Sequence, residues 1–387
     1  VAPPSAQLHV SRWEPIIVHK RFPLQFAALE GNLSHTLGEI MSFAHRPLVL
    51  IVAALAVLAI PASQFKSLCA AESEYQKAIA GFEAAGAYFG YSDEDLKQPG
   101  RAKTIVEVFC YKATDAKIES IRYLKGLPHL EDISVDFPSL NPTYSKKLVQ
   151  QALEHADLLS KLKGFRISID PDLAVSDAEI CELSKIPMLS QLAIQPLVTV
   201  NVTDQSLACL EKLRGLRALV FCNTQITDQG LKHLGGMKRL EHVILAGTEI
   251  TGEGFRHLKD LPLRRLFLVE TKVNDENLKW LSHFEHLELL FLGGCPIEGS
   301  GLEYLSGLKE LKRLSLSGTK IDDKALLQLH ELPRLEELYL YECAITDACI
   351  PALRKLKSLK RLLITKTKIT DAGRQKLSEA LPGLQFE

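Results

Sequence analysis

Thr224-Gln-Ile-Thr-Asp-Gln-Gly-Leu231 returns as Thr248-Glu-Ile-Thr-Gly-Glu-Gly-Phe255 and again as Thr367-Lys-Ile-Thr-Asp-Ala-Gly373. The third residue of the phrase belongs to a ladder of eight β-branched residues: Val202, Ile226, Ile250, Val273, Ile297, Ile321, Ile345 and Ile369. Successive members stand 24 residues apart, with a single step of 23. A fixed period of this length means stacked supersecondary units, each burying its apolar face only against its neighbours. Such an array is a solenoid, and the estimate of domain number from chain length does not apply to it.

Each unit follows one plan. Leu216-x-x-Leu219-x-Phe221, Leu311-x-x-Leu314-x-Leu316 and Leu335-x-x-Leu338-x-Leu340 read as strands, with alternation turning Leu219 and Phe221 inward and Val220 outward. A turn slot follows, filled by Thr224, Thr248, Thr271, Cys295, Thr319, Cys343 and Thr367. Thr227-Asp228, Asn274-Asp275 and Thr346-Asp347 then read as helix starts, an N-cap followed by an acid that suits the helix dipole. Leu231 with Leu234, and Leu302 with Leu305, face the sheet. The ladder residues are core positions at the turn into each helix.

The Ile-Thr-Asp-x-Gly-Leu phrase resembles bacterial leucine-rich-repeat proteins of the kind abundant in planctomycetes. It is also similar to the cysteine-containing, ribonuclease-inhibitor-like repeats of eukaryotic F-box substrate receptors. The resemblance covers about Thr104 to Phe386. It implies an α/β leucine-rich-repeat solenoid, a horseshoe with a parallel β-sheet on its concave face and short helices on its convex face. It is specific for fold and nearly silent on function. No F-box-like segment precedes the repeats, so the shared phrase does not extend to ubiquitin ligation.

Four regions are expected. Residues 1–40 read as a start-site extension or a disordered tail. Residues 41–71 read as a signal peptide or N-terminal anchor, because Leu48 to Ile60 is a charge-free apolar run of 13 residues behind Arg46. That run is shorter than the ~20 residues of a comfortable membrane span. Membrane contact is expected only through 48–60, and only if that segment is not cleaved. Cys69-Ala-Ala71 offers small residues for cleavage. Residues 72–110 read as an N-terminal cap of helix and strand, and 111–387 as the repeat domain with an insertion near 136–163. An exported or envelope-anchored monomer follows, with a cytoplasmic adaptor as the rival reading and an enzyme whose site is not visible in the sequence as the third.

The chain carries 46 Lys and Arg against 47 Asp and Glu. This balance offers no field for nucleic acid. No phosphate loop, dinucleotide fingerprint, nucleophile elbow or zinc-binding helix occurs. His330-Glu331 starts the last of these, but Arg334 stands where the second histidine belongs. No cofactor, metal or catalytic residue is expected. The eight cysteines show no metal spacing; Cys181, Cys209 and Cys349 fall on convex helices, Cys222 points outward, and free thiols are expected.

What remains is the outward side of the sheet. Val220, Ile244, Phe267 and Phe291 should lie side by side on adjacent strands as an exposed apolar stripe, with Arg265 and Leu289 beside them. Tyr339 and Tyr341, flanked by Arg313 and Arg361, form a second cluster. Aromatic and arginine side chains are favoured anchors for a protein partner, whose identity the sequence does not name.

Overall fold

The computed structural model describes residues 74–386, apart from 86, 92–104, 111–117, 128, 138–141, 170–174 and 197–198. The expectations for 1–40, for the apolar run 48–60 and for Cys69 fall outside the described residues. The repeat-bearing unit extends from Ala78. It opens on residues 78–84 of α1 (residues 74–84), where Ala78 and Phe82 are buried. Phe82 meets the rings of Phe89 and Tyr123 edge-on.

Thirteen strands form one sheet among the described residues. In chain order they are β1 (Tyr88–Tyr91), β2 (Ile105–Cys110), β3 (Asp132–Phe137), β4 (Gly164–Ile169), β5 (Gln191–Ile194), β7 (Ala218–Phe221), β9 (His242–Ile244), β10 (Arg265–Phe267), β11 (Leu289–Phe291), β12 (Arg313–Ser315), β13 (Glu337–Tyr339), β14 (Arg361–Leu363) and β15 (Gln385–Phe386). Strand β1 runs antiparallel to β2. From β2 onward every neighbour pairs in parallel. A side ladder joins β6 (Val200–Thr203) to β8 (Thr224–Gln225). Between the later strands lie short helices, mostly of 3-10 form. Successive strands of a leucine-rich-repeat solenoid therefore stack one per coil.

The segment 136–163 does not interrupt the stack. It contains α2 (Pro142–Glu154) and α3 (Ala156–Leu159), and the strands on either side of it pair directly, from Asp132 with Gly164 to Phe137 with Ile169. It is the helical half of one long coil.

The β-branched ladder is core throughout: Val202 through Ile345 have no exposure, and Ile369 has 6%. The inward strand leucines, Leu219, Leu266, Leu290, Leu314, Leu338 and Leu362, are equally buried. Burying one such side chain contributes roughly 1.5–3 kcal/mol, so a stack of identical coils accumulates stability coil by coil.

The Asp of the phrase has a larger task than the dipole. Its carboxylate accepts from the next coil. Asp204 takes the Thr227 N–H (2.8 Å) and hydroxyl (2.7 Å). Asp323 does the same with Thr346, and Asp347 with Thr370. Asp228 accepts from Thr251 N–H and Oγ1, Gly252 N–H and Gly254 N–H. Asp177 binds Thr203 and Ser206. The N-cap Thr thus serves its own helix and the preceding coil together.

The Gly of the phrase follows from the Asp. A Cβ on Gly254 would lie 2.6 Å from the Asp228 carbonyl oxygen. One on Gly230 or Gly373 would collide with the carboxylate of Asp204 or Asp347, and one on Gly301 with the Asp275 backbone. Where the Asp is missing, the next coil fills the space. Gly252 and Gly299 take the Asp position with left-handed backbone, φ +103° and +110°. Opposite them stand Asn277 and Ala325, not glycines. The Asp chain of hydrogen bonds is interrupted at these two coils.

The turn slot also divides by chemistry. Thr248, Thr271 and Thr319 donate within their own coil, to the carbonyls of Leu245, Leu268 and Leu316. Cys295 and Cys343 instead reach back one coil, to Leu268 O (3.0 Å) and Leu316 O (3.1 Å). Cysteine here joins coils, and the Cys295 sulfur also lies 3.3 Å from the Thr271 hydroxyl of the preceding coil.

One cysteine expectation is corrected. Cys181 and Cys209 are disulfide-bonded, with Cα atoms 5.1 Å apart. They lie on α4 (Asp177–Leu183) and α5 (Asp204–Leu210), whose side-by-side packing brings together residues 28 apart in sequence. Cys222, Cys295, Cys343 and Cys349 are free. Burial pushes the thiols of Cys222 and Cys349 up to about 12, which leaves them protonated and unreactive at neutral pH.

Candidate functional site

Parallel pairing in strict register builds rows on the sheet face turned away from the helices. Val220 pairs with Ile244, Ile244 with Phe267, and Phe267 with Phe291. The row continues through Ser315 and Tyr339 to Leu363. A second row runs His242, Arg265, Leu289, Arg313, Glu337, Arg361. Nine of the ten residues singled out from the sequence lie in these two rows, and Tyr341 follows β13.

Their exposure is not as expected. Val220 and Phe291 keep only 2% of their surface, Phe267 5% and Leu289 7%. Ile244 and Arg265 are half-buried. Packing of outward rings on one another is one reason: the Phe267 and Phe291 centroids are 4.5 Å apart, and Phe291 meets the Tyr339 ring edge-on at 5.9 Å. Strands ~4.8 Å apart hold large side chains of adjacent coils in mutual contact. The stripe is therefore a satellite core and not an exposed patch.

The second cluster is different. Tyr339, Tyr341, Arg313, Arg361 and Leu363 are all half-buried, so each keeps accessible surface. Their centre is Glu337, which sequence reasoning did not select. Its carboxylate receives Arg313 Nε at 3.1 Å and Arg361 Nη1 at 3.7 Å, and the Tyr339 hydroxyl donates to it. Burial first, then the Glu337 carboxylate, pushes the Tyr339 hydroxyl well above its usual value, so it remains a donor. The signal for Glu337 was its place in the row, one coil from an arginine on either side. Beside it, Lys366 lies over the Tyr341 ring at 4.7 Å and pairs with Glu342 at 2.6 Å.

His242 stands at the apolar end of the arginine row. Burial, with Arg265 and Arg264 nearby, lowers its pKa to about 4, so it is neutral at pH 7. Among the described residues no group of His, Cys, Asp and Glu could hold a metal ion. No helix among them is long and apolar enough to cross a membrane.

No protein-family model matches the chain, and no curated protein matches it in sequence. Among solved structures it is similar to an internalin, InlF of Listeria monocytogenes, at 16% identity and a TM-score of 0.41; the match covers 76% of this chain and 92% of that one. It is also similar to TLR13 in a complex with single-stranded RNA, at 19% identity and a TM-score of 0.45. That match covers 68% of this chain and 36% of that one. Neither likeness is close enough to carry a ligand or an activity across.

Proposed function

We propose that this is a non-catalytic binding module that takes a protein partner on the outward face of β12–β14. The observation that carries the reading is the half-exposed cluster of Tyr339, Tyr341, Arg313 and Arg361 around Glu337. Its side chains are aromatic and guanidinium groups on a rigid sheet, already oriented by hydrogen bonds. Such groups make strong anchors because little conformational freedom is lost on binding. Of the buried residues on the neighbouring strands of the same face, Val220, Phe267, Leu289 and Phe291, only Phe291 packs on a ring of this site, meeting Tyr339 edge-on.

Export to the cell envelope is part of the reading. The Cys181–Cys209 disulfide supports it, since disulfides persist in oxidising compartments. The apolar run at 48–60 supports it from the sequence side. The Ile-Thr-Asp-x-Gly-Leu phrase supports a bacterial source.

Affinity capture with the full chain tests the binding site. Tyr341→Ala should lose the partner while folding normally, and Val220→Ala should retain it. Retention by Tyr341→Ala would refute the site. Cell fractionation with N-terminal sequencing tests export: a mature start near Ala71 in the envelope is expected, and an intact residue 1 in the cytosol overturns it.

A further inference from the structure

The chain as a whole has a formal net charge of −1, but the outward face of its regular coils is cationic. The row that opens each strand reads Ala218, His242, Arg265, Leu289, Arg313, Glu337, Arg361. That is three positive charges against one negative, an excess of two. The outward rows through Val220 and through Cys222 contain no Asp, Glu, Lys or Arg. Neutral His242 adds nothing. The residues just before the strands alternate in sign and pair with one another: Glu288 sits between Arg264 and Lys312, and Glu336 pairs with Lys360.

Glu337 is 8% exposed and faces two guanidiniums, so a single carboxylate orients both Arg313 and Arg361 without neutralising them. Arg265 and Arg361 are engaged within the protein as well. The excess is one of charge, not of idle donors. The Arg313 and Arg361 side chains retain 26% and 35% of their surface. They stand on alternate strands, ~10 Å apart, a distance that an extended chain covers in about three residues.

We infer that the segment this face takes is acidic: a stretch of protein in the polyproline-II conformation, in which every third residue faces the same way, with Asp or Glu at every third position, crossing the strands over Arg313 and Arg361. An apolar side chain of that segment rests on the neighbouring Tyr339 and Leu363, which pair in register. Carboxylates suit guanidinium because two parallel N–H donors match two oxygens, and a partly desolvated site strengthens the bond. The inference rests on the binding site proposed above.

The test uses the full chain and two labelled twelve-residue peptides, one with Asp at every third position and a central Phe, the other with Lys in place of Asp. Fluorescence anisotropy should show binding of the acidic peptide alone, weakening as salt is raised. Arg313→Gln and Arg361→Gln should each weaken it about tenfold, as loss of a charge-assisted bond implies. Glu337→Gln should tighten it, a gain that misfolding cannot mimic. Equal binding of the Lys peptide, no binding of the acidic one, or indifference to all three substitutions overturns the acidic assignment. So does equally tight binding of a single-stranded oligonucleotide of matched charge. If the assignment fails while Tyr341→Ala still abolishes capture of the native partner, the binding site stands and only its chemistry is wrong.

Discussion

Between β11 and β12 the outward face of one continuous sheet changes character. On β9–β11 the outward residues are mostly apolar, and on β10 and β11 the rings close on one another, leaving Phe267 and Phe291 nearly without surface. On β12–β14 the same rows hold Arg313, Ser315, Glu337, Tyr339, Arg361 and Leu363, and all but Ser315 and Glu337 stay half-exposed. Backbone and register are the same in both parts. One register therefore carries a stretch whose rings close on one another and a stretch that stays more open, differing in only two residues per coil.

The largest expected effect comes from attacking the closed part. Phe291→Ala should cost about 3–5 kcal/mol, the range for deleting a buried aromatic ring. Tyr341→Ala, on a half-exposed side chain, should cost less than about 1.5 kcal/mol. Urea denaturation of the two variants checks the difference, and equal losses would erase the distinction between the parts.

Next is the disulfide, which fastens the coil preceding the regular array. Cys181→Ser with Cys209→Ser removes a cross-link over 28 residues and should cost about 2–4 kcal/mol. Intact-mass measurement before and after reduction and alkylation checks the bond itself.

The Asp chain comes third. Asp228→Ala strands the Thr251, Gly252 and Gly254 donors and should cost about 1–3 kcal/mol. A pH dependence accompanies it. Hydrogen bonds from Thr370 hold the Asp347 carboxyl below its usual value of 3.8. A depressed carboxyl stabilises the fold fully above its unfolded value, and this contribution is lost as pH falls through the folded value. Thermal unfolding followed below pH 4 should show the loss, and Asp347→Asn should flatten it.

The smallest effect is a gain. Glu270 holds φ +57° at a turn where Gly247, Gly294 and Gly318 stand in other coils. Glu270→Gly relieves left-handed strain of roughly 1 kcal/mol, partly offset by the greater freedom of glycine in the unfolded chain.

Much of this architecture was legible in the 24-residue phrase. Its period gave the stack, its alternation gave the two sides of the sheet, and the rows follow by counting. What the phrase did not reveal was set by contacts between coils. Asp204 looked like a helix-start acid because its partners, the Thr227 N–H and hydroxyl, lie in the next coil. The Cys181–Cys209 pair was hidden because it crosses between helices of a longer, irregular coil. Register sets the residues of the apolar stripe side by side, but their exposure depends on whether neighbouring rings interlock, which no single strand encodes. Glu337 was visible as an outward residue, yet its importance arises only once register sets arginines on both sides.

On the proposed function, stability and binding reside on different strands of one face. Amide hydrogen exchange of the full chain, with and without its captured partner, separates the two. New protection is expected at β12–β14 and none at β9–β11, whose amides exchange slowly in the free protein. Protection at β9–β11 with none at β12–β14 overturns the proposal.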